Sequence, residues 1–417
     1  MSSGNLVIPA NTRPFWWSDE LDKSEHIVAT YRVTTQCSGE DAAIGMAMEQ
    51  SASTLTIQGY VEADMLRGWS IRICDVKPVS SSRPSSVVDS YFLNTEVYSA
   101  NDAPLGCFDI TLAIPSCLLK GKPAQLLNVL VGELPRLGFL TSFRLKDVTL
   151  PAAFGPGPAF GRQGILKLLG KTKGPLLCRA MRPGVGLDLD TMACLNRDVL
   201  VGGFHLVKDD ELLCFKDTHQ FKAHLQAMIS ARDEAMQITG EPKMYLANLF
   251  CEPDELQQRW DLVCELGADG VLVAPFIQGL GVLPWIARQR KIPVIAHNSF
   301  EDMLTRNGAW GIDDAVICHW LRHLGADWFV TPGTFASRAM NAESAKKLIA
   351  AAIGEDNDLR SMMPNIQGGK HPGGLADYHQ AVGNEDYMLI VANWVDSHPK
   401  GMMFAAREFR AAIDALN

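Results

Sequence analysis

The sequence predicts an α/β protein: a C-terminal (β/α)8 barrel preceded by an α+β, ferredoxin-like N-terminal domain. Three observations point there. Beyond Pro151, apolar strand-like runs alternate eight times with amphipathic, helix-like stretches. Eight such units in residues 151–417 match the count and size of a barrel of roughly 250 residues. The stretch "PAAFGPGPAFG", residues 151–161, is a Pro/Gly cluster that marks a boundary, giving domains 1–150 and 151–417. The first 150 residues mix strand and helix patterns without rhythm. A doubly wound open sheet is the competing arrangement, but no Gly-rich dinucleotide turn follows the first strand of the second domain.

In the N-terminal domain "EHIVATYRVTT", "TLTIQGYV", "GWSIRICDV" and "GCFDITLAI" read as strands, and "QLLNVLVGEL" is apolar at helical spacing. The barrel strands are "GPLLCRAM", "GGFHLVKDD", "KMYLANLF", "DGVLVAPF", "IPVIAHNS", "DWFVTP", "SMMPNIQGG" and "YMLIVANW". Helical stretches such as "THQFKAHLQAMISARDEAMQITG" and "DELQQRWDLVCELGA" separate them. Chemistry in such barrels sits at the carboxyl ends of the strands. Here those ends carry Arg182, then Lys208, Asp210 and Glu211, then Asn248, His297, Thr331, Gln367–Gly368–Gly369 and Asn393. That is a richer polar set than turns alone require.

The stretch "VGGFHLVKDDELL" poses an electrostatic problem: a buried strand ends in one cation and three anions. Acidic residues at a helix start would favour its positive end, and that is the plain structural reading. Strand alternation instead sends Lys208 and Asp210 to one side, with Glu211 turning to join them and Asp209 left facing outward. Two carboxylates are a normal protein share for a hard cation such as Mg²⁺. An ammonium repels a metal, but a neutral lysine amine can add CO₂ and become an anionic carbamate. That chemistry resolves the conflict.

The chain has 417 residues, is 47% hydrophobic and 20% charged, and carries a formal net charge of −9. An acidic surface argues against nucleic acid or anionic membrane as a partner. The ten cysteines include no C-x-x-C pair, as expected of reduced thiols in a cytoplasmic protein. The start "MSSGNLVIPANTRPFWW" lacks the pattern of a secretory signal, and no run approaches the roughly 18 apolar residues of a membrane span.

The segment "GGFHLVKDDE" resembles the metal-binding segment of the ribulose-bisphosphate carboxylase (Rubisco) large subunit, with its Gly-Gly, apolar run and Lys-x-Asp-Glu. Further resemblances follow in chain order: "EQSASTLT", "FGPGPAFGRQGILKLLG", "GPLLCRAMRPGVGL", "PVIAHNSF" and "NIQGGKHPG". The departures are informative. Arg182 and Gly184 stand where carboxylases carry two lysines, and "TPGTFASRAM" lacks the lysine of the sixth-strand loop. Asn298, Val330 and Gln367 replace an arginine, a histidine and a serine that hold one phosphate of a bisphosphate substrate. The chain therefore resembles the Rubisco-like (form IV) proteins.

The resemblance implies a Mg²⁺ site made by Lys208 as carbamate, Asp210 and Glu211, stabilising an enolate or enediolate oxygen. It implies that Thr54 and Gly368–Gly369 hold the retained phosphate through hydroxyl and backbone N–H donors. Ala392–Asn393–Trp394 replaces a glycine run at the third phosphate element. One phosphate site kept and one dismantled implies a sugar monophosphate substrate, with Asn298, Gln367 and Asn393 as further substrate-binding positions. Glu49 and Thr54 would complete the site of a neighbouring subunit, implying a homodimer or larger homo-oligomer. With the loop lysines absent, the expected reaction is decarboxylation of a phosphorylated 3-oxo sugar acid, of the 3-oxo-isoapionate-4-phosphate type. Arg182 would hold the departing carboxylate, and His297 or a water would reprotonate carbon. A transcarboxylase/hydrolase on the same substrates, an enolase or isomerase of a methylthio-sugar phosphate, and a non-catalytic binding protein are the alternatives.

Overall fold

The structure is a computed structural model that describes residues 13–18, 21–22, 24–51, 67–68, 70–80, 105–181, 187–336, 340–354, 359–396 and 398–416. The side chains at positions 49–51, 152 and 393 are outside that description. The expected strand "TLTIQGYV" also lies outside the described residues. By internal contacts the chain forms two units: Met1–Phe154 with Met303–Ile317, and Gly155–Asp302 with Cys318–Asn417.

The first unit is built on a mixed five-stranded sheet. Its strands are β1 (His26–Thr35), β2 (Arg72–Pro78), β3 (Gly106–Pro115), β4 (Leu140–Thr149) and β10 (Trp310–Ile312), in the order β10-β4-β1-β3-β2. The alternation in "HIVATYRV" does what it predicts: Ile27, Ala29, Tyr31 and Val33 are buried while the residues between them are partly exposed. The helix Gly39–Ser51 packs on β2 and β3, and its Ala43, Ile44 and Ala47 are buried. The boundary drawn at residue 150 misses one returning segment. The strand β10 leaves the second half of the chain and adds in parallel to β4, pairing Gly311 with Arg144. Arg144 fastens it, donating to the carbonyls of Thr305 (3.0 Å), Asn307 (2.6 Å) and Ile312 (3.0 Å) and to the Asp313 carboxylate.

The second unit is a closed parallel barrel. Its strands are β5 (Leu176–Ala180), β6 (Leu206–Lys208), β7 (Met244–Asn248), β8 (Gly270–Val273), β9 (Val294–Ala296), β11 (Trp328–Val330), β12 (Met363–Ile366) and β13 (Met388–Val391). These are the eight apolar runs of the sequence, in the expected order. Both faces of each strand are buried, so the runs read as continuously apolar rather than alternating. Alternate residues fill the interior: Leu176 and Cys178, Leu206, Met244 and Leu246, Leu272, Ile295, Trp328 and Val330, Met363, Met388 and Ile390. Two residues further along, toward the carboxyl ends, the same inward register reaches Lys208, Asn248, His297 and Asn365.

At the opposite end Asp327 holds the barrel floor. Its carboxylate accepts the N–H groups of Phe160 (2.8 Å), Gly161 (2.7 Å) and Val294 (2.9 Å), and it is fully buried. Replacing it with alanine leaves three backbone donors, two buried and one partly buried, without an acceptor, so Asp327→Ala is expected to cost on the order of 3–5 kcal/mol. Urea unfolding of the variant measures this, and a cost below about 1 kcal/mol would mean that the donors find other partners.

Candidate active site

Lys208 is the last residue of β6 and is 1% exposed. Its Nζ donates to the Asp209 carbonyl (3.0 Å) and to Oε2 of Glu211 (3.2 Å). The same Oε2 lies 3.2 Å from Nε2 of His297, which follows β9. On the other side of the ring, Nδ1 accepts the Ser299 N–H (3.2 Å) and lies 2.8 Å from Ser299 Oγ. A backbone N–H can only donate, so Nδ1 is an acceptor and the neutral ring carries its proton on Nε2, directed at Glu211. Burial pushes the Glu211 carboxyl up, but the Lys208 ammonium and then His297 outweigh it and hold it at about 2. Three residues from two strand ends thus meet in one hydrogen-bonded cluster.

Asp209 faces away from Lys208, as the alternation expects, but it is not an exposed bystander: it is fully buried. Its Oδ1 lies 3.0 Å from Nε2 of His224, and its Oδ2 accepts from the Tyr245 hydroxyl (2.7 Å) and the Asn248 N–H (2.9 Å). The physical reason is that the outer face of a barrel strand meets the surrounding helices and not solvent. The carboxylate lies against β7 and the helix Thr218–Thr239, which carries His224. Burial, and then the Asp209 charge, push the Tyr245 hydroxyl well above the usual tyrosine range, keeping it a donor. The Asn248 side chain holds the turn from the other side, donating to the carbonyls of Asp210 (3.1 Å) and Leu213 (3.1 Å). Asp210 is buried beside them and accepts the Leu212 N–H (2.9 Å). A buried aspartate next to a histidine and a tyrosine was not readable from "KDDE", because its partners lie on other elements.

The remaining expected site residues divide. Gln367 reaches across to the neighbouring strand end, donating from Nε2 to the Thr331 carbonyl (3.2 Å). Gly368 and Gly369 form an exposed turn with φ of 80° and 60°, which non-glycine residues rarely adopt. Asn298 is half-buried next to His297 and accepts the Glu301 N–H through its carbonyl (3.1 Å). Glu49 and Asn393 lie in helices, Gly39–Ser51 and Asn393–Asp396, but their side chains are outside the description. Thr54, Arg182 and Gly184 lie outside the described residues.

No three His, Cys, Asp or Glu side chains group as a metal site among the described residues. Asp210 and Glu211 offer two carboxylates, and the third member of the cluster is an amine. A protonated Lys208 opposes a dication, whereas its carbamate would add an anionic oxygen at the same place. The donor set then becomes three hard oxygens, which suits Mg²⁺. All ten cysteines are free thiols, and no described helix is long and apolar enough to cross a membrane.

Residues 161–417 match the family model described as the ribulose bisphosphate carboxylase large chain, catalytic domain. The chain belongs to the Rubisco large-chain family. It is 28% identical over 395 residues to the 2,3-diketo-5-methylthiopentyl-1-phosphate enolase of Geobacillus thermodenitrificans, covering 93% of this chain and 92% of that one. It is 26% identical over 433 residues to the ribulose bisphosphate carboxylase of Archaeoglobus fulgidus, covering 96% and 92%. Its fold matches the crystal structure of a rubisco-like protein (MtnW) from Alicyclobacillus acidocaldarius with a TM-score of 0.81 and 25% identity, over 95% and 94% of the two chains. Rubisco-family relatives named as enolases and as carboxylases thus share this framework.

The Asp209 network can be tested through stability. Asp209→Leu is expected to cost on the order of 3–5 kcal/mol, because three buried donors lose their acceptor. Tyr245→Phe, which removes one donor from that carboxylate, should cost about 1 kcal/mol. Equal costs for the two in urea unfolding would contradict a network centred on Asp209.

Proposed function

We propose that the protein is a Mg²⁺-dependent enzyme that generates an enolate or enediolate from a sugar acid monophosphate. In this proposal it decarboxylates a phosphorylated 3-oxo sugar acid and does not fix CO₂. The observation that carries the proposal is the contact of Lys208, Glu211 and His297 at the carboxyl ends of β6 and β9, each neighbouring pair at 3.2 Å. Lys208 as carbamate, Asp210 and Glu211 would hold the cation, which when bound would stabilise negative charge developing on a substrate oxygen.

The chain's own groups supply the rest. Breaking the carbon–carbon bond of a β-keto acid leaves its electron pair on carbon, so no base is needed to start the reaction. A proton must then be delivered to that carbon. A water, or His297 once its ring is protonated, is assigned to this step, since the neutral ring with its one proton on Nε2 would have to leave as imidazolate. Among the described barrel residues whose inward register reaches the carboxyl ends, Lys208 is the only lysine. Arg182 is assigned to the departing carboxylate, and Gly368, Gly369 and Thr54 to the phosphate. Asn298, Gln367, Asn393 and Glu49 are assigned to the remainder of the substrate, and Glu49 and Thr54 to the site of a second copy. The sixth-strand loop "TPGTFASRAM" has no lysine with which to handle gaseous CO₂.

An enolase reading is favoured by one specific observation, the name borne by the 28% identical Geobacillus relative. It requires a proton to be taken from carbon before the enolate forms.

One experiment separates the two. Phosphorylated 3-oxo sugar acids and methylthio-sugar phosphates are incubated with the protein, Mg²⁺ and bicarbonate in D₂O, and the products are followed by NMR. Release of CO₂ with deuterium at the adjacent carbon supports decarboxylation, and exchange without CO₂ supports the enolase. No turnover, and no effect of Mg²⁺ and bicarbonate on thermal stability, would leave a binding protein. Lys208→Ala should abolish turnover while the protein still folds. His297→Asn should lower kcat by about 100-fold or more. Ser299→Ala retains the backbone donor to Nδ1 and should lower it only several-fold.

A further inference from the structure

The amino ends of β6 and β7 gather a second cluster of charge, at the other end of the barrel from Lys208. His205 directly precedes β6 and is 2% exposed. Its Nδ1 accepts the Leu177 N–H at 3.0 Å, so the neutral ring carries its proton on Nε2. Burial, and then the charges of Lys171, Arg410 and Lys243, hold the imidazole well below the usual histidine range and keep it neutral. Nε2 lies 3.5 Å from Nη1 of Arg410, which is also a donor. Two N–H groups thus meet, and among the described residues no acceptor serves Nε2.

The cations around it are short of partners too. Lys243 directly precedes β7 and is 2% exposed; among the described residues its Nζ donates only to Oε2 of Glu241, at 2.8 Å. An ammonium has three donors. Arg410, on the helix Met402–Asp414, donates to the Gly203 carbonyl (3.3 Å) and to Asp414 (2.9 Å), and its Nη1 lies 3.5 Å from the same Glu241 oxygen. Lys171 is half-buried and has no ion pair among the described residues. Burial, and then Arg410, push its amine below the usual lysine range. The stretch that carries it lies against the loop before β7: a Cβ on Gly170 would come 3.7 Å from the Pro242 ring. Burial pushes the Glu241 carboxyl up, but Lys243, then Arg410 and Lys171, outweigh it. Three cations therefore share two carboxylates, Glu241 and Asp414. Water could accept from the imidazole and the ammonium, but it would not balance the remaining charge.

We infer that the amino ends of β6 and β7 form a binding site for a tetrahedral oxyanion, phosphate or sulfate, whose donors are His205 Nε2, Lys243 Nζ, Lys171 Nζ and the Arg410 guanidinium. Such an anion supplies the missing acceptor and the missing negative charge together, through charge-assisted hydrogen bonds. It also joins the helix Met402–Asp414 to two barrel strands. The site is separate from the carboxyl-end cluster, so the inference does not rest on the proposed reaction.

The test uses the full-length protein with sulfate, phosphate and selenate as probes, and chloride at matched ionic strength as the control. Concentrations are kept in the low millimolar range, below that in which such salts stabilise proteins generally. Sulfate or phosphate should raise the Tm of the wild type above its value in chloride, and the larger shift identifies the preferred anion. Crystals soaked in selenate should show an anomalous selenium peak within hydrogen-bond reach of His205 Nε2 and Lys243 Nζ. Lys171→Met removes a cation without an ion pair, so in chloride it should unfold at a Tm no lower than wild type. It should lose most of the oxyanion-induced rise. Its selenate affinity at this site, read from peak occupancy over a soak series, should fall about 10-fold or more, as for the loss of one hydrogen bond to a charged group. Lys171→Arg should retain the rise. Should Lys171→Met not fold, Arg410→Gln carries the same test. A wild-type Tm equal in all the salts, a rise that persists in Lys171→Met, or selenium peaks only elsewhere overturns the inference.

Discussion

A carboxylate taken fully out of water is costly unless donors saturate its oxygens, and Asp209 meets that condition with His224, Tyr245 and the Asn248 N–H. The arrangement around Lys208 depends on it. Those three bonds tie the end of β6 to β7 and to the helix Thr218–Thr239. The Asp209 carbonyl then takes one bond from Lys208, and Asn248 turns its side chain onto the carbonyls of Asp210 and Leu213. The short turn that presents Asp210 and Glu211 is therefore held at both ends. Asp209 lies between the proposed ligands in sequence, but its carboxylate is spent on the scaffold.

Barrel closure does the rest. Lys208 and His297 are 89 positions apart by their residue numbers, yet both stand in the inward register at a strand's carboxyl end and meet through Glu211. Beneath them the interior is filled by Cys178, Leu206, Leu246, Ile295 and Val330, so the cluster sits on a dry apolar floor. In such surroundings charge interactions are stronger than in water. That is why the Lys208 charge can hold the Glu211 carboxyl down against the opposing effect of burial.

The family framework is shared with relatives that differ in chemistry. Identities of 28% to an enolase and 26% to a carboxylase, each across nearly the whole chain, do not choose between reactions. Function in barrels resides in the groups grafted onto strand ends and loops. By the resemblance read in the sequence, this chain's departures stand at or just after β5, β9, β11, β12 and β13, while the Lys208–Asp210–Glu211 turn keeps the pattern.

Local pattern carried most of the barrel. Its eight strands are long apolar runs bounded by turn residues, and a buried parallel strand has no other signature. The Lys-x-Asp-Glu pattern likewise pointed to the cluster, because the chemistry of those side chains is written in adjacent positions. Two features were not legible. The strand β10 is three residues long and pairs with β4, more than 160 positions away, so no local period announces it. Asp209 was read as facing away from Lys208, and it does, but the partners that bury it there, His224 and Tyr245, lie on other elements. Residue order specified which groups exist and the periods along each element. Which of them lost water, and which found a partner, followed from contacts between elements remote in sequence, where the cost of burying charge is settled.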